Sequence, residues 1–285
     1  MKNKKILITG GNGFIGRNLS EELSKENQVI VLDKSKTNNK NVAAIQEDIV
    51  KKDWLQKTGH VDYIFHLAAN VGVDYVSKTP EETRVTEILG MRNILCFAKE
   101  NPVKKIIYSS TSSVYEAIHS PTAYNISKLY AEQLLRDSGL NHTILRLFNV
   151  YGKYQQDKMV VPRFIQKALN NEPITIFGDG NQTRDFTYIK DIVNAIIISA
   201  KTEKANSRVF DIGTGTETKI IELAKVIVQL TNSDSKIIKG PVPEHRRHYE
   251  VIKRCCNPKP MIKMLGFECQ TNLKKGINDL INSFC

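Results

Sequence analysis

Tyr124 and Lys128 stand four residues apart in Tyr124-Asn125-Ile126-Ser127-Lys128. On a helix that spacing puts two side chains on one face, so a phenol and an ammonium converge on one point. A phenol with an ordinary pKa of about 10 is a poor base at neutral pH. A neighbouring cation favours the phenolate and draws its pKa toward neutrality, which makes the pair a candidate general base. Such pairs also occur on plain solvated helix faces. Two other features single this one out: a hydroxyl-rich strand end at Ser110-Thr111-Ser112-Ser113, and a glycine-rich stretch at the start of the chain.

That stretch is Gly10-Gly11-Asn12-Gly13-Phe14-Ile15-Gly16, with glycines at 10, 13 and 16 following the apolar run Ile6–Ile8. The spacing suits a tight turn, close backbone approach to a pyrophosphate and tight helix–strand packing. The anion would rest on free N–H groups of a helix starting near Asn12. A second apolar run, Val29–Leu32, ends on Asp33, about 20 residues after the glycines, where a carboxylate accepts hydrogen bonds from an adenosine ribose. An acid there repels a 2′-phosphate, so the expected cofactor is NAD rather than NADP. Asp48 stands where it can reach an adenine amino group, and a surface acid or helix cap fits its spacing equally well. The run Val61–His66 ends in Leu67-Ala68-Ala69, small enough to let a nucleotide lie against the backbone. His66 lies inside an apolar run and reads as a core histidine.

Elements must position these groups. Strands are predicted at Ile6–Ile8, Val29–Leu32, Val61–Ala69, Lys104–Ser110 and Thr143–Leu147, alternating with helical patterns over Pro80–Glu100 and Ala123–Leu135. Such alternation means an α/β fold, a Rossmann-type doubly wound parallel sheet with helices on both faces. Past Gly152 the alternation weakens. Helices near Val161–Leu169, 190–200 and Lys219–Leu230 and strands at Ile174–Phe177 and Val209–Ile212 suggest a smaller α/β C-terminal substrate domain. The expected division is 1–155 for the dinucleotide domain, with about 185–215 returning to it, and 156–285 mainly for the interleaved substrate domain. Pro241–Pro260 reads as a loop.

With 285 residues and 41% hydrophobic content the chain can bury a large core. The apolar run after basic Met1–Lys5 is too short for a signal-peptide core, and none approaches bilayer length. Five cysteines without CxxC pairing suggest reduced thiols in a cytoplasmic protein, and no metal-ligand spacing is present. A net charge of +11 raises the question of nucleic acid. The basic residues are scattered and no nucleic-acid motif accompanies them, so a phosphate-bearing substrate and a Lys-rich surface explain the balance better.

Taken together, Gly10–Gly16, His66-Leu67-Ala68-Ala69, Ser109-Ser110-Thr111, Tyr124-x-x-x-Lys128 and Arg184-Asp185-Phe186 resemble, in order, the extended short-chain dehydrogenase/reductase family, the NAD-dependent nucleotide-sugar epimerases and dehydratases. The resemblance implies NAD at the glycine loop, Asp33 on its ribose, Asp48-Ile49 at the adenine and Lys128 on the nicotinamide ribose. It implies that Tyr124 and Thr111 act on a sugar hydroxyl, and that Asn149, Arg184 and Arg247 meet the diphosphate. Glu250 falls where an Asp is usual after the late arginine. A homodimer through helices near 80–100 and 123–137 is implied as well.

Departures guide the choice of reaction. Dehydratases resemble each other in an Asp-Glu pair after the catalytic Thr, and decarboxylases in a Glu two residues after it; here those positions are Ser112 and Ser113. C4 epimerisation of a UDP-hexose is therefore the leading expectation. Dehydration, decarboxylation or keto-reduction is the alternative, and a non-catalytic NAD- or RNA-binding role the remote one. Glu116 replaces a usual Gly, Glu87 replaces an Asn that helps fix the active-site backbone, and the segment from Tyr115 to Tyr124 is short for the family.

Overall fold

The computed structural model describes residues 1–244, 246 and 251–284. The chain opens with β1 (Lys5–Thr9), α1 (Phe14–Leu23), β2 (Gln28–Asp33) and β3 (Ala43–Gln46). Helix α2 (Asp53–Thr58) leads to β4 (Tyr63–His66), and α3 (Val73–Lys78) with the long α4 (Pro80–Glu100) leads to β5 (Lys105–Thr111). A 3-10 turn (Ser112–Glu116), α5 (Ala123–Asp137) and β6 (His142–Leu147) follow. The later chain holds β7 (Asn149–Tyr151), α6 (Val160–Leu169), β8 (Ile174–Phe177), β9 (Thr183–Arg184), β10 (Phe186–Tyr188) and α7 (Ile189–Lys201). It ends with β11 (Arg208–Ile212), β12 (Thr218–Lys219), α8 (Ile220–Leu230), β13 (Ile237–Gly240), β14 (Lys253–Arg254), α9 (Lys259–Leu265) and α10 (Leu273–Ile281).

Seven strands form one parallel sheet in the order β11-β6-β5-β4-β1-β2-β3. Strand β1 explains why a continuous apolar run belongs at its centre. Ile6 and Ile8 pack into one core with Leu19 of α1 and Ile192 of α7, while Leu7 points to the opposite core with Trp54, Met91 and Phe97. Both faces are covered, so no polar residue alternates in. The winding direction reverses between β1 and β4, and the crevice beyond their carboxyl ends is where such sheets bind ligands.

Three short sheets complete the later half: β8 with β13, β7 with β10, and β9 between β12 and β14. Two elements escape the sequence pattern. Edge strand β3 carries exposed residues and pairs only with β2, so it lacks a buried-strand signature. The segment expected to be loop, Pro241–Pro260, contains β14, whose register against β9 is set by tertiary pairing rather than by periodicity. No helix among the described residues is long and apolar enough to cross a membrane.

Candidate active site

The glycine loop forms a cradle. Helix α1 begins after Gly13 with no side-chain cap, so the N–H groups of Phe14, Ile15 and Gly16 lack helical acceptors. Gly10 has φ +68°, and a Cβ there would lie 2.7 Å from the Ala68 backbone. A Cβ on Gly16 would lie 2.1 Å from the Gly10 carbonyl oxygen. Leu67, Ala68 and Ala69 follow β4, where the Leu67 and Ala68 N–H groups donate to the Thr9 carbonyl (3.1 Å) and hydroxyl (3.3 Å).

Asp33 accepts from the Asn12 N–H at 3.0 Å and from the Ser35 N–H and hydroxyl at 2.9 and 2.8 Å, which fixes its carboxylate at the edge of the cradle. Asp48 accepts from the Val50 N–H at 3.0 Å and pairs with Lys34 at 3.1 Å. Ile49 is buried; its carbonyl accepts from Asn93 at 2.8 Å and from the Trp54 indole at 3.3 Å. Asn93 also reaches the carbonyls of Val50 and Lys51, a pin between α4 and this loop that the sequence reading missed. A bare helix start, a wall that excludes side chains and a carboxylate at its rim fit a dinucleotide.

The chemical centre lies at the end of β5. A capping box between Thr122 and Asn125 starts α5 and sets Tyr124 and Lys128 on its inward face. Lys128 is buried and donates to the Ser109 carbonyl at 2.8 Å. It also pairs with Glu87 of α4 at 3.0 Å, and its ammonium lies 4.8 Å from the centre of the Tyr108 ring. The Tyr108 hydroxyl donates to the same Glu87 carboxylate. Thr111 meets the Tyr124 hydroxyl and accepts from the Ser113 N–H at 3.2 Å. His66 is the core histidine expected: its Nδ1 shares a hydrogen with Thr9 at 2.7 Å, its ring stacks on Tyr108, and burial drops its pKa to about 3.

The expected pull of the ammonium and of a nicotinamide cation on the phenol meets two opposing contributions from the protein itself. Burial raises the Tyr124 pKa above its ordinary value, and the Glu87 charge adds to that rise. Lys128, the Thr111 hydroxyl and Arg254 pull the other way without overcoming it. An i,i+4 cation was legible in the sequence; the anion that offsets it comes from another helix.

Asn149 opens β7 at the sheet end. Arg184 lies on β9 and donates to the Thr183 and Val251 carbonyls at 2.8 and 2.6 Å. Arg247 and Glu250 lie outside the described residues. Arg254, which sequence reasoning overlooked, carries a charge that reaches Tyr124, and it forms a fork with Glu116 at 2.8 and 3.3 Å. Asp185 anchors this region, accepting from the N–H groups of Thr214, Gly215 and Cys256 and from the Thr214 hydroxyl. The only signal for Arg254 is the pairing of β14 with β9, which no spacing reveals.

Residues 6–213 match the model of the NAD dependent epimerase/dehydratase family. The chain is 36% identical to a UDP-N-acetyl-alpha-D-glucosaminuronate decarboxylase of Bacillus cytotoxicus, over 99% of this chain and 98% of that one. It superposes with TM-score 0.91 and 30% identity on a UDP-glucose 4-epimerase of Thermotoga maritima solved with UDP-glucose, over 98% of each chain. MoeE5, solved with UDP-glucuronic acid and NAD, gives TM-score 0.89 at 28% identity over 98% of each chain.

Proposed function

Because this chain belongs to the NAD-dependent epimerase/dehydratase family, we propose that it inverts C4 of a UDP-linked hexose, with Tyr124 as the base. The observation that carries this reading is the convergence of Tyr124, Thr111 and Lys128 at the end of β5, beside the crevice where the sheet reverses. NAD is the cofactor of the family, and the cradle at Gly10, Gly13 and Gly16 with Asp33 would hold it. When bound, NAD supplies a hydride acceptor that later returns the hydride.

The chain's own residues do the rest. Tyr124 removes the proton from the C4 hydroxyl, and Thr111 hydrogen-bonds the same oxygen as charge develops. Lys128 stands behind the phenol and would hold the nicotinamide ribose. Asn149, Arg184 and Arg247 would anchor the diphosphate while the sugar turns over. Ser113, in place of a carboxylate, shares its hydrogen bond with Thr111 at 3.1 Å, and Glu116 is turned to Arg254, so neither presents a free acid for elimination. Exposed Val85 and Leu89 on α4 and Ile126, Leu129 and Tyr130 on α5 support a homodimer through these helices.

Decarboxylation of a UDP-uronate is the second reading. It is favoured by the Bacillus cytotoxicus relative and by Arg254, a cation near Tyr124 that can exchange Glu116 for a sugar carboxylate. Incubating the protein with UDP-, dTDP- and GDP-hexoses and UDP-uronates and identifying products by NMR decides between them. A C4 epimer of a UDP-hexose is expected; release of carbon dioxide from a uronate with no hexose turnover establishes the second reading.

A further inference from the structure

We infer that Glu87 sets the proton affinity of Tyr124: a carboxylate buried behind Lys128, it takes up the ammonium charge that would otherwise act on the phenol. Its bearing on catalysis rests on Tyr124 being the base. Glu87 is a positioning residue, acting through Lys128 rather than on substrate.

The geometry is closed on every side. Lys128 has three N–H donors; one goes to the Ser109 carbonyl and one to Glu87, which leaves a single donor for a ligand. Glu87 and Lys128 are 1% and 2% exposed, so water does little to screen them. The charged and titratable groups around this pair and its phenol come from five elements. Strand β5 gives Tyr108, which donates to Glu87. Helix α5 gives Tyr124 and Glu132, the latter covered by Arg146 and Arg136. Strand β4 gives His66, held neutral by burial. Strand β14 gives Arg254, paired with Glu116 from the 3-10 turn after β5.

Arg254 and Glu132 are therefore each matched by a partner of opposite charge. What remains beside the phenol is one ammonium and one carboxylate 3.0 Å apart, a dipole rather than a cation. Burial raises the Tyr124 pKa most, and the Glu87 charge adds to that rise by offsetting the ammonium. The higher pKa makes the phenol a stronger base that is populated only as pH rises.

The test follows the ultraviolet absorbance of phenolate during a pH titration, with Tyr124→Phe as the background that isolates Tyr124. Glu87→Gln keeps size and an acceptor oxygen while removing the charge. It is expected to lower the Tyr124 midpoint by about one to two pH units, with the acidic limb of kcat/KM moving by the same amount. Glu87→Asp retains the charge and is expected to keep a native midpoint with reduced kcat. Coincident titrations of Glu87→Gln and the native protein overturn the inference, as does Glu87→Asp shifting as far as Glu87→Gln. Glu87→Asn repeats the measurement if Glu87→Gln does not fold. If neither neutral variant folds where Glu87→Asp does, the charge is structural and the inference fails. The midpoint is read without turnover, so active Tyr124→Phe with a shifting midpoint would sink the proposed chemistry and leave this inference standing.

Discussion

Glu132 and Glu87 are both buried against α5, one from the helix itself and the other from α4, yet their partners differ in kind. Glu132 takes the Arg146 fork at 2.9 and 2.7 Å, Arg136 at 2.8 Å and the Ser110 hydroxyl at 2.6 Å. Burial works against the Arg146 charge, but Glu132 and Tyr115 hold its pKa above its ordinary value, so the guanidinium never gives up its proton. Glu87 instead meets the Tyr108 phenol and Lys128, the ammonium that stands behind the Tyr124 base. A carboxylate saturated by arginine fixes β5, β6 and α5 together. One balanced against the lysine behind a base tunes chemistry.

The largest effect expected from breaking the second cluster is at its phenol. Tyr124→Phe should lower kcat about a hundred- to ten-thousand-fold while leaving NAD affinity within a few-fold, as calorimetric titration and turnover assays check. Because Tyr124 sits above its ordinary pKa, native activity should climb with pH through the neutral range. The base works only when deprotonated, so an alkaline-shifted acidic limb is the sign to find. In the first cluster, Glu132→Gln should cost about 3–5 kcal/mol of stability in denaturant titration by leaving Arg146 unmatched, without shifting the pH profile of the folded enzyme. A shift in that profile as large as the one from Glu87→Gln would erase the distinction between the two carboxylates.

A parallel contrast separates the cofactor cradle from the chemical centre and shows what the sequence could reveal. Gly10, Gly13, Gly16 and Asp33 were legible because a local backbone shape demands those residue types at those spacings. Tyr124 and Lys128 were legible for the same reason, since one helix carries both. Glu87 was visible only as an odd residue, because its meaning depends on α4 packing against α5. Arg254 was invisible: a two-residue strand inside a proline-rich segment has no period, and its partner Glu116 lies 138 residues away. Asp33→Asn probes the legible side. It should weaken NAD about ten- to a hundred-fold by removing a charged acceptor, measured by calorimetry, with no movement of the pH profile.

Glu116→Gln should have the smallest effect and refines the comparison at the rim of the site. Its carboxylate and the Arg254 guanidinium are each about one-fifth exposed, so the pair is partly screened and worth far less than a buried one. Removing the charge frees Arg254, which already lowers the Tyr124 pKa, so the acidic limb should move to lower pH, but by less than with Glu87→Gln. The freed guanidinium should also favour a uronate over a neutral hexose by no more than about fivefold in KM, read by competition between the two UDP-sugars. A pH shift exceeding that of Glu87→Gln would place the control of the phenol at the exposed fork instead of the buried lysine pair.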